Sequence, residues 1–467
     1  MQDVAERALS YAQQMADYAE VRIEESQGDG AMLKNGDPTV VTIGTEMGVC
    51  VRVLKDGCLG AAFVNDLKWD KIKTAVDRAV KIAHASKKVL REPVKMSSEK
   101  MQKDKYAAGE KKKAADISLE EKLKALIEID KAVLATKLNL AARYFHLTAD
   151  RTQKYYCNSE GAKIESVIPR VHLFYMISVR ENNLVEQRMD QYGAAGGWEQ
   201  LLAWDLPDAI SGQAKLLAKV ARAKSAPREK MDVVLSPELV GIASHEGCGH
   251  PYEADRILGR EFAQAGGSFI KKEMIGTRIG SDAVTLVDDP TLENSYGFYL
   301  YDDEGVRARR RYLIKDGIIT ELLHNRETAA SMETNSNGAS RANSWDAEPI
   351  VRMANTFVLP GDHTLEELID IKKGVYIKSY MEWNIDDKRF NQRYVGLEAY
   401  LIKNGEISQM VKRPAIEMTT PAFWQAVDAC GKDLGFSVGS CGKSDPMQAI
   451  PVFFGGPHVR LRNVILG

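Results

Sequence analysis

The sequence predicts an α+β protein: an N-terminal domain of sheets and helices, then a C-terminal domain dominated by antiparallel β-strands. Two patterns carry that expectation. Runs in which apolar and polar residues alternate with period two recur between stretches of helical spacing. Turn-forming triplets separate the strand-like arms, as at Lys55-Asp56-Gly57, Lys315-Asp316-Gly317 and Lys403-Asn404-Gly405. Length is the third observation, because 467 residues exceed what a single core usually holds. Two domains are therefore expected, residues 1–225 and residues 226–467, divided at Ser225-Ala226-Pro227, where a helical pattern ends.

The elements follow in order. Asp3 to Asp17 spaces Val, Ala, Leu and Met as a helix does, and Tyr18 to Glu25 alternates as a half-buried strand. Val40 to Val53 and Gly57 to Val64 form hairpin arms, and Trp69 to Ser86 is a second amphipathic helix. Lys87 to Lys113 is lysine-rich and poor in large apolar residues, so it reads as a solvated connector; interspersed acids argue against a basic nucleic-acid arm. Ser118-Leu-Glu-Glu opens the next helix with a capping box. Strand-like runs follow at 141–148, 153–158, 163–166 and 172–180. The glycine-rich stretch Tyr192 to Trp198 then leads into a helix around Gln200 to Lys224; its glycines lack dinucleotide-binding spacing. Beyond the boundary come a strand (Met231 to Leu235), a helix, and mostly strands, among them Val284 to Val287, Tyr312 to Lys315 and Ala399 to Lys403.

Composition narrows the function classes. Lysine plus arginine total 63 and aspartate plus glutamate 65, a net charge of −2, which gives no global pull toward nucleic acid. Apolar runs such as Ile450 to Phe454 are strand-length, so no membrane span is expected. The first twenty residues lack the basic start and apolar centre of a signal peptide, which points to a cytoplasmic protein. Six cysteines are too sparse for a disulfide scaffold and read as buried hydrophobes or functional thiols.

The chemistry concentrates in Leu235 to Asp255. Ser236 caps a helix whose first turn holds Pro237 and Glu238, and His245-Glu246-Gly247-Cys248-Gly249-His250 follows. Two imidazoles can hold zinc while leaving a position open for water, whose proton the adjacent glutamate can take. The histidines are five apart rather than the familiar four, so on a regular helix they would point about 140° apart. The helix must bulge or end between them, with Gly247, Gly249 and Pro251 to allow it. A polar helix end with capping histidines is the competing explanation. Glu253 and Asp255 either orient the histidines or form a solvated or capping pair; His324 and His458 stand alone.

The second half of the chain resembles the TldD branch of the TldD/PmbA metalloprotease family. That family's HExxxH motif matches His245 to His250, and its acidic tail matches Glu253 and Asp255. Further matches are Thr285 to Asp289, Asp302 to Gly305, Arg352 to Thr356, Glu398 to Ile402, and Gly439-Ser440-Cys441-Gly442-Lys443. The resemblance implies zinc held by His245, His250 and Cys441, with Glu246 as general base. It also implies short or unfolded peptides as substrate, and a heterodimer with a related TldE/PmbA-type subunit lacking the motif; a homodimer is the competing assembly. Cys248 matches no ligand of the family. A regulatory or binding protein of the gyrase-modulator type, with a structural zinc, is the alternative and would recruit a fourth ligand such as Cys248. Residues 337–344 follow the family's arginine-rich pattern only in part, and Ser379 to Arg393 is richer in charge and aromatics than the resemblance leads one to expect.

Overall fold

A computed structural model describes residues 1–467, the side chains of residues 40–43 and 264–265 excepted. The first half is built on one seven-stranded sheet. Its strands are β1 (Tyr18–Lys34), β2 (Asp37–Lys55), β3 (Cys58–Val64), β4 (Lys103–Ala107), β5 (Leu140–Asn158), β6 (Lys163–Glu181) and β7 (Leu184–Ala195). They lie in the order β3-β2-β1-β5-β6-β4, with β7 also on β6, and every pairing except β4 with β6 is antiparallel. Helices α1 (Gln2–Ala12) and α2 (Trp69–Ser86) pack with β1, β2 and β3, while α3 (Leu119–Ala135) and α5 (Leu206–Arg222) pack with β5 and β6. A short α4 (Trp198–Leu202) precedes α5.

The period of β5 shows how the sheet is used. Phe145, Leu147, Tyr155 and Cys157 enter the helix-covered cores. Tyr156 faces the other way, where its hydroxyl donates to the Glu304 carbonyl of the second half at 2.9 Å. The sheet therefore carries helices on one face and the rest of the protein on the other.

The strands are longer than their sequence pattern suggests. β1 runs nine residues beyond Glu25, and each pair of runs read between 141 and 180 fuses into one strand, β5 or β6. The segment read as a solvated connector carries β4, and the Ser97 carbonyl within it accepts from buried Arg326.

The second half is strand-rich. A mixed seven-stranded sheet contains β8 (Lys224–Ser225), β9 (Lys230–Leu235) and the strands Lys373–Ile377 and Ala399–Lys403. A six-stranded sheet ends in three neighbours, Asn355–Val358, Gln448–Gly456 and Gly435–Lys443. A three-stranded sheet includes the hairpin of Tyr380–Ile385 and Asn391–Gly396. Most pairings are antiparallel; β9 with Lys373–Ile377 and Asn355–Val358 with Gln448–Gly456 are parallel exceptions. Helix α6 (Pro237–Ser244) lies on the six-stranded sheet so closely that a Cβ on Gly241 would sit 2.8 Å from the Gly455 nitrogen. Among the described residues no helix is long and apolar enough to cross a membrane.

Candidate metal centre

Strand β9 delivers the chain to Ser236, which starts α6, but its hydroxyl donates to the Lys378 carbonyl at 2.7 Å instead of capping the helix. Leu239, Val240, Ile242 and Ala243 bury the helix in the main core. At its end the backbone widens: His245–Gly249 form a single π turn, in which the His250 amide donates to the His245 carbonyl, and a 3₁₀ turn (His250–Tyr252) follows. One extra residue per turn is what a five-residue spacing needs to bring both side chains to one side. The imidazole rings lie 4.9 Å apart between centroids, nearly perpendicular. Gly249 keeps an ordinary helical φ of −59°, so left-handed freedom is not what the position requires. Space is: a Cβ there would lie 1.7 Å from Met353 Sδ.

Cys441 arrives from the edge strand Gly435–Lys443, paired with Ile450 of the neighbouring strand. Its Sγ is 3.4 Å from His250 Nε2, and one ligand atom each from His245, His250 and Cys441 lie within 4.8 Å of one another. Burial pushes the Cys441 thiol up, but His250, His245 and Arg352 pull it well below the ordinary thiol value, toward the thiolate that binds metals. Burial lowers His250, while Cys441 and Glu253 outweigh it and raise the imidazole to about 9. Arg352, fully buried, donates to the carbonyls of Cys441 and Gln448 and so fixes the strand's backbone.

Glu253 supports His250 from behind, with Oε2 3.1 Å from Nδ1. Burial raises that carboxyl, and Lys443, His250 and Arg256 together hold it well below the usual carboxylate range. Lys443 Nζ lies 3.2 Å from Glu253 and 2.7 Å from Asp255, and also donates to the Val351 carbonyl. Two residues apart on one strand, Cys441 and Lys443 share a face, so one element supplies the thiol and the cation that steadies Glu253. Sequence reasoning named Glu253 and Asp255 but missed the role of Lys443, although period two beside Cys441 was a usable signal.

Glu246 stands beside this cluster with both oxygens engaged. Oε1 accepts from Trp383 Nε1 at 3.2 Å, and Oε2 accepts from Arg389 Nη1 at 3.0 Å. Both donors come from the hairpin of Tyr380–Ile385 and Asn391–Gly396, in the segment whose charge and aromatics depart from expectation. Nothing in the sequence ties that hairpin to the motif, and its two donors were not anticipated. Cys248 lies in the core with Tyr252 and Trp424, outside the cluster, and burial pushes its thiol well up. His324 and His458 lie elsewhere, bonded to Thr328 and to Asp433 and Tyr376.

The donor set fits a metal. Two buried imidazoles and a thiol favoured as thiolate make three soft-to-borderline ligands that leave a fourth tetrahedral position. His245 Nδ1 is buried and has no hydrogen-bond partner among the described residues, an unusual condition for a polar atom unless a ligand completes its surroundings.

Comparison with known proteins agrees in kind. Residues 228–467 match the PmbA/TldA metallopeptidase C-terminal domain, residues 112–224 the central domain and residues 19–83 domain 1. The chain belongs to the PmbA/TldD metallopeptidase family. It is accordingly an enzyme, a metallopeptidase, and the regulatory reading gives way to it. A protein named metalloprotease from Methanocaldococcus jannaschii is 33% identical over 96% of each chain. A zinc metalloprotease TldD homolog from Saccharolobus solfataricus is 28% identical over 67% of this chain and 68% of its own. The solved structure of TldE from Thermococcus kodakarensis shares the PmbA/TldD fold with a TM-score of 0.76 at 19% identity, covering 99% of this chain and 100% of that one.

Proposed function

We propose that this family member is a zinc peptidase of the TldD type in which His245, His250 and Cys441 hold the metal and Glu246 is the general base. The convergence of those three ligand atoms beside Glu246, from positions almost 200 residues apart, is the observation that carries the reading. A zinc ion held there would polarise water and the scissile carbonyl. Glu246 takes the proton of the attacking water on a carboxylate oxygen and returns it to the leaving amide nitrogen. Glu253 holds the His250 ring in orientation, with Lys443 as its counter-charge. The zinc named for the Saccharolobus relative supports the choice of metal.

Short or unfolded peptides are the proposed substrates. His245, Glu246, His250 and Cys441 are each only 4–8% exposed, so an extended chain reaches them far more readily than a folded surface. All four lie in the proposed catalytic domain, residues 226–467, with residues 1–225 as its supporting domain. A TldE-type subunit is the proposed partner, a reading supported by the shared fold with a solved TldE.

The test pairs elemental analysis with hydrolysis of an unstructured peptide mixture. Glu246→Gln should keep stoichiometric zinc and lose about 10²–10⁴-fold in rate, the usual contribution of a positioned base. Cys441→Ala should lose both zinc and activity. Zinc retained by Cys441→Ala, or full activity in Glu246→Gln, would sink this assignment.

A further inference from the structure

The N-terminal sheet does not close flat against the second half. On its face opposite the helices, even-numbered residues of β1, β5 and β6 line one wall of a cavity of about 100 Å³. Residues from 298–303, 341–343 and 450–451 form the other wall. The volume is below the roughly 150 Å³ that admits a benzene ring, so the space suits a compact group and not a length of peptide.

Cations outnumber the anions available to them. Arg22, Lys154, Arg170 and Arg341 line the cavity together with Glu24, Asp302 and Asp303. Asp302 is turned to the backbone, where it accepts from the amides of Glu304, Val306 and Ser340. Glu24 and Asp303 share Lys154, at 3.3 and 3.1 Å, and Arg22 lies 4.0 Å from Asp303. Arg170 and Arg341 are left over: neither has a carboxylate in ion-pair distance among the described residues. Asp150 stands opposite Arg170 in the ladder of β5 with β6, but burial outweighs their attraction and raises its carboxyl to about 6.

These two guanidiniums come from opposite halves of the protein. Arg170 donates to the carbonyls of Tyr296 and Phe298, at 3.1 and 3.5 Å. Arg341 donates to those of Met353 and Pro451, at 2.7 and 3.1 Å, and lies 5.1 Å from the centre of the Tyr299 ring. Carbonyls orient a guanidinium without neutralising it, and most of its five N–H donors stay unused in each case. Arg341 is 7% exposed; burial, with Arg170 and Arg352 nearby, lowers it to about 10. A buried cation without a counter-charge is costly, and two of them across one interface repel. An anion between them would reverse both effects. Lys154, 25% exposed at its side chain, lines the same cavity and keeps it in reach of solvent.

The charge and its arrangement select the anion. A planar carboxylate matches one guanidinium fork at a time, whereas tetrahedral phosphate oxygens can meet donors from two walls. Its second negative charge suits two unpaired guanidiniums. We propose that this cavity binds a phosphate group, as inorganic phosphate or a small phosphate monoester, between Arg170 of the first half and Arg341 of the second. The site is separate from the cluster of His245, His250 and Cys441, and the inference does not depend on the role given to that cluster.

Calorimetric titration of inorganic phosphate into the zinc-loaded full-length protein, at constant ionic strength in chloride, tests this, with ³¹P line broadening as a second readout. Saturable binding at one site per chain is expected. Arg341→Met and Arg170→Met should each weaken it by at least about tenfold, the scale of a charge-assisted contact, and Arg170→Lys should keep part of it. Arg170 is half-buried, so its variants decide the matter if Arg341→Met does not fold. Cys441→Ala should bind phosphate as wild type does; loss of binding there would place the ion on the metal centre and overturn the proposal. Glycerol 3-phosphate separates the two sources: binding equal to that of inorganic phosphate supports a site open to monoesters, and binding of inorganic phosphate alone supports a site for the free ion. Acetate binding as tightly as phosphate would overturn the choice of anion. Neither heat nor broadening with wild type, or phosphate affinity unchanged in the Arg170 variants, would overturn the site itself.

Discussion

At the scale of single residues, the centre depends on charges that have no solvent to share them. Glu253 and Lys443 are both 0% exposed at the side chain, and the carboxylate exists there because His250, Lys443 and Arg256 surround it. A carboxylate behind a ligating imidazole fixes the ring and makes it a better donor, and loss of such a partner typically costs 10–100-fold in metal affinity, about 1.4–2.7 kcal/mol. Glu253→Gln keeps the shape and removes the charge. Its zinc dissociation constant, measured by competition with a chromophoric chelator, should rise by about that factor while the protein stays folded. Unchanged affinity would mean that the His250–Glu253 contact is structural alone.

At the scale of elements, the turn from α6 into the π segment decides whether His245 and His250 meet. Gly247 and Gly249 differ in what surrounds them: a Cβ on Gly249 would strike Met353 Sδ at 1.7 Å, whereas one on Gly247 would meet Gln392 Oε1 and Thr420 Cγ2 at 3.2 Å. Met353 is 1% exposed and has little room to retreat. Gly249→Ala should therefore destabilise by about 1–3 kcal/mol, as overpacking does, and weaken zinc binding by displacing His250. Gly247→Ala should cost less in both urea denaturation and zinc titration, and the reverse order would discard the steric account. Local rules also explain what the sequence disclosed. The Ser118 capping box is present as read, α2 spans Trp69–Ser86 as read, and the five-residue histidine spacing is met by the bulge it demanded. Long strands were under-read where they cross turn-like residues. β1 passes through Gly28-Asp29-Gly30 because β5 runs too close for side chains there: a Cβ on Gly30 would sit 2.4 Å from the Leu147 carbonyl, and the ladder with β2 shifts register at that point. β4, with the sequence KDKYA and mostly exposed residues, has no apolar alternation to betray it. In the site, the histidines and Glu246 stand in one motif, while Cys441 was reached only through family resemblance. Arg389 and Trp383 come from a distant hairpin whose register no local pattern encodes.

At the scale of the whole molecule, the two halves are joined by charge buried on the sheet face opposite the helices. Arg52 of β2 lies 2.6 Å from Glu20 of β1 and 2.5 Å from Glu304 of the second half, and all three residues are at most 4% exposed. The Tyr18 hydroxyl donates to the other oxygen of Glu20, with the Tyr156 hydroxyl 2.9 Å from that same oxygen, and the Arg326 amide donates to the other oxygen of Glu304. Nearby, Arg22 donates to the carbonyls of Ser344 and Ala347. Desolvating such a network is expensive, so its contribution lies less in net attraction than in penalising separation of the halves. Arg52→Met leaves two buried carboxylates without their cation and should lower stability by about 3–5 kcal/mol in urea denaturation. Glu304→Gln removes one of those carboxylates, so adding it to Arg52→Met should recover part of the loss. The double-mutant cycle should then give an interaction energy of about 0.5–3 kcal/mol. An interaction energy near zero would mean that the Arg52–Glu304 pair does not couple the N-terminal sheet to the half that carries the His245–His250–Cys441 cluster, and that the halves are held by their apolar contacts and remaining hydrogen bonds.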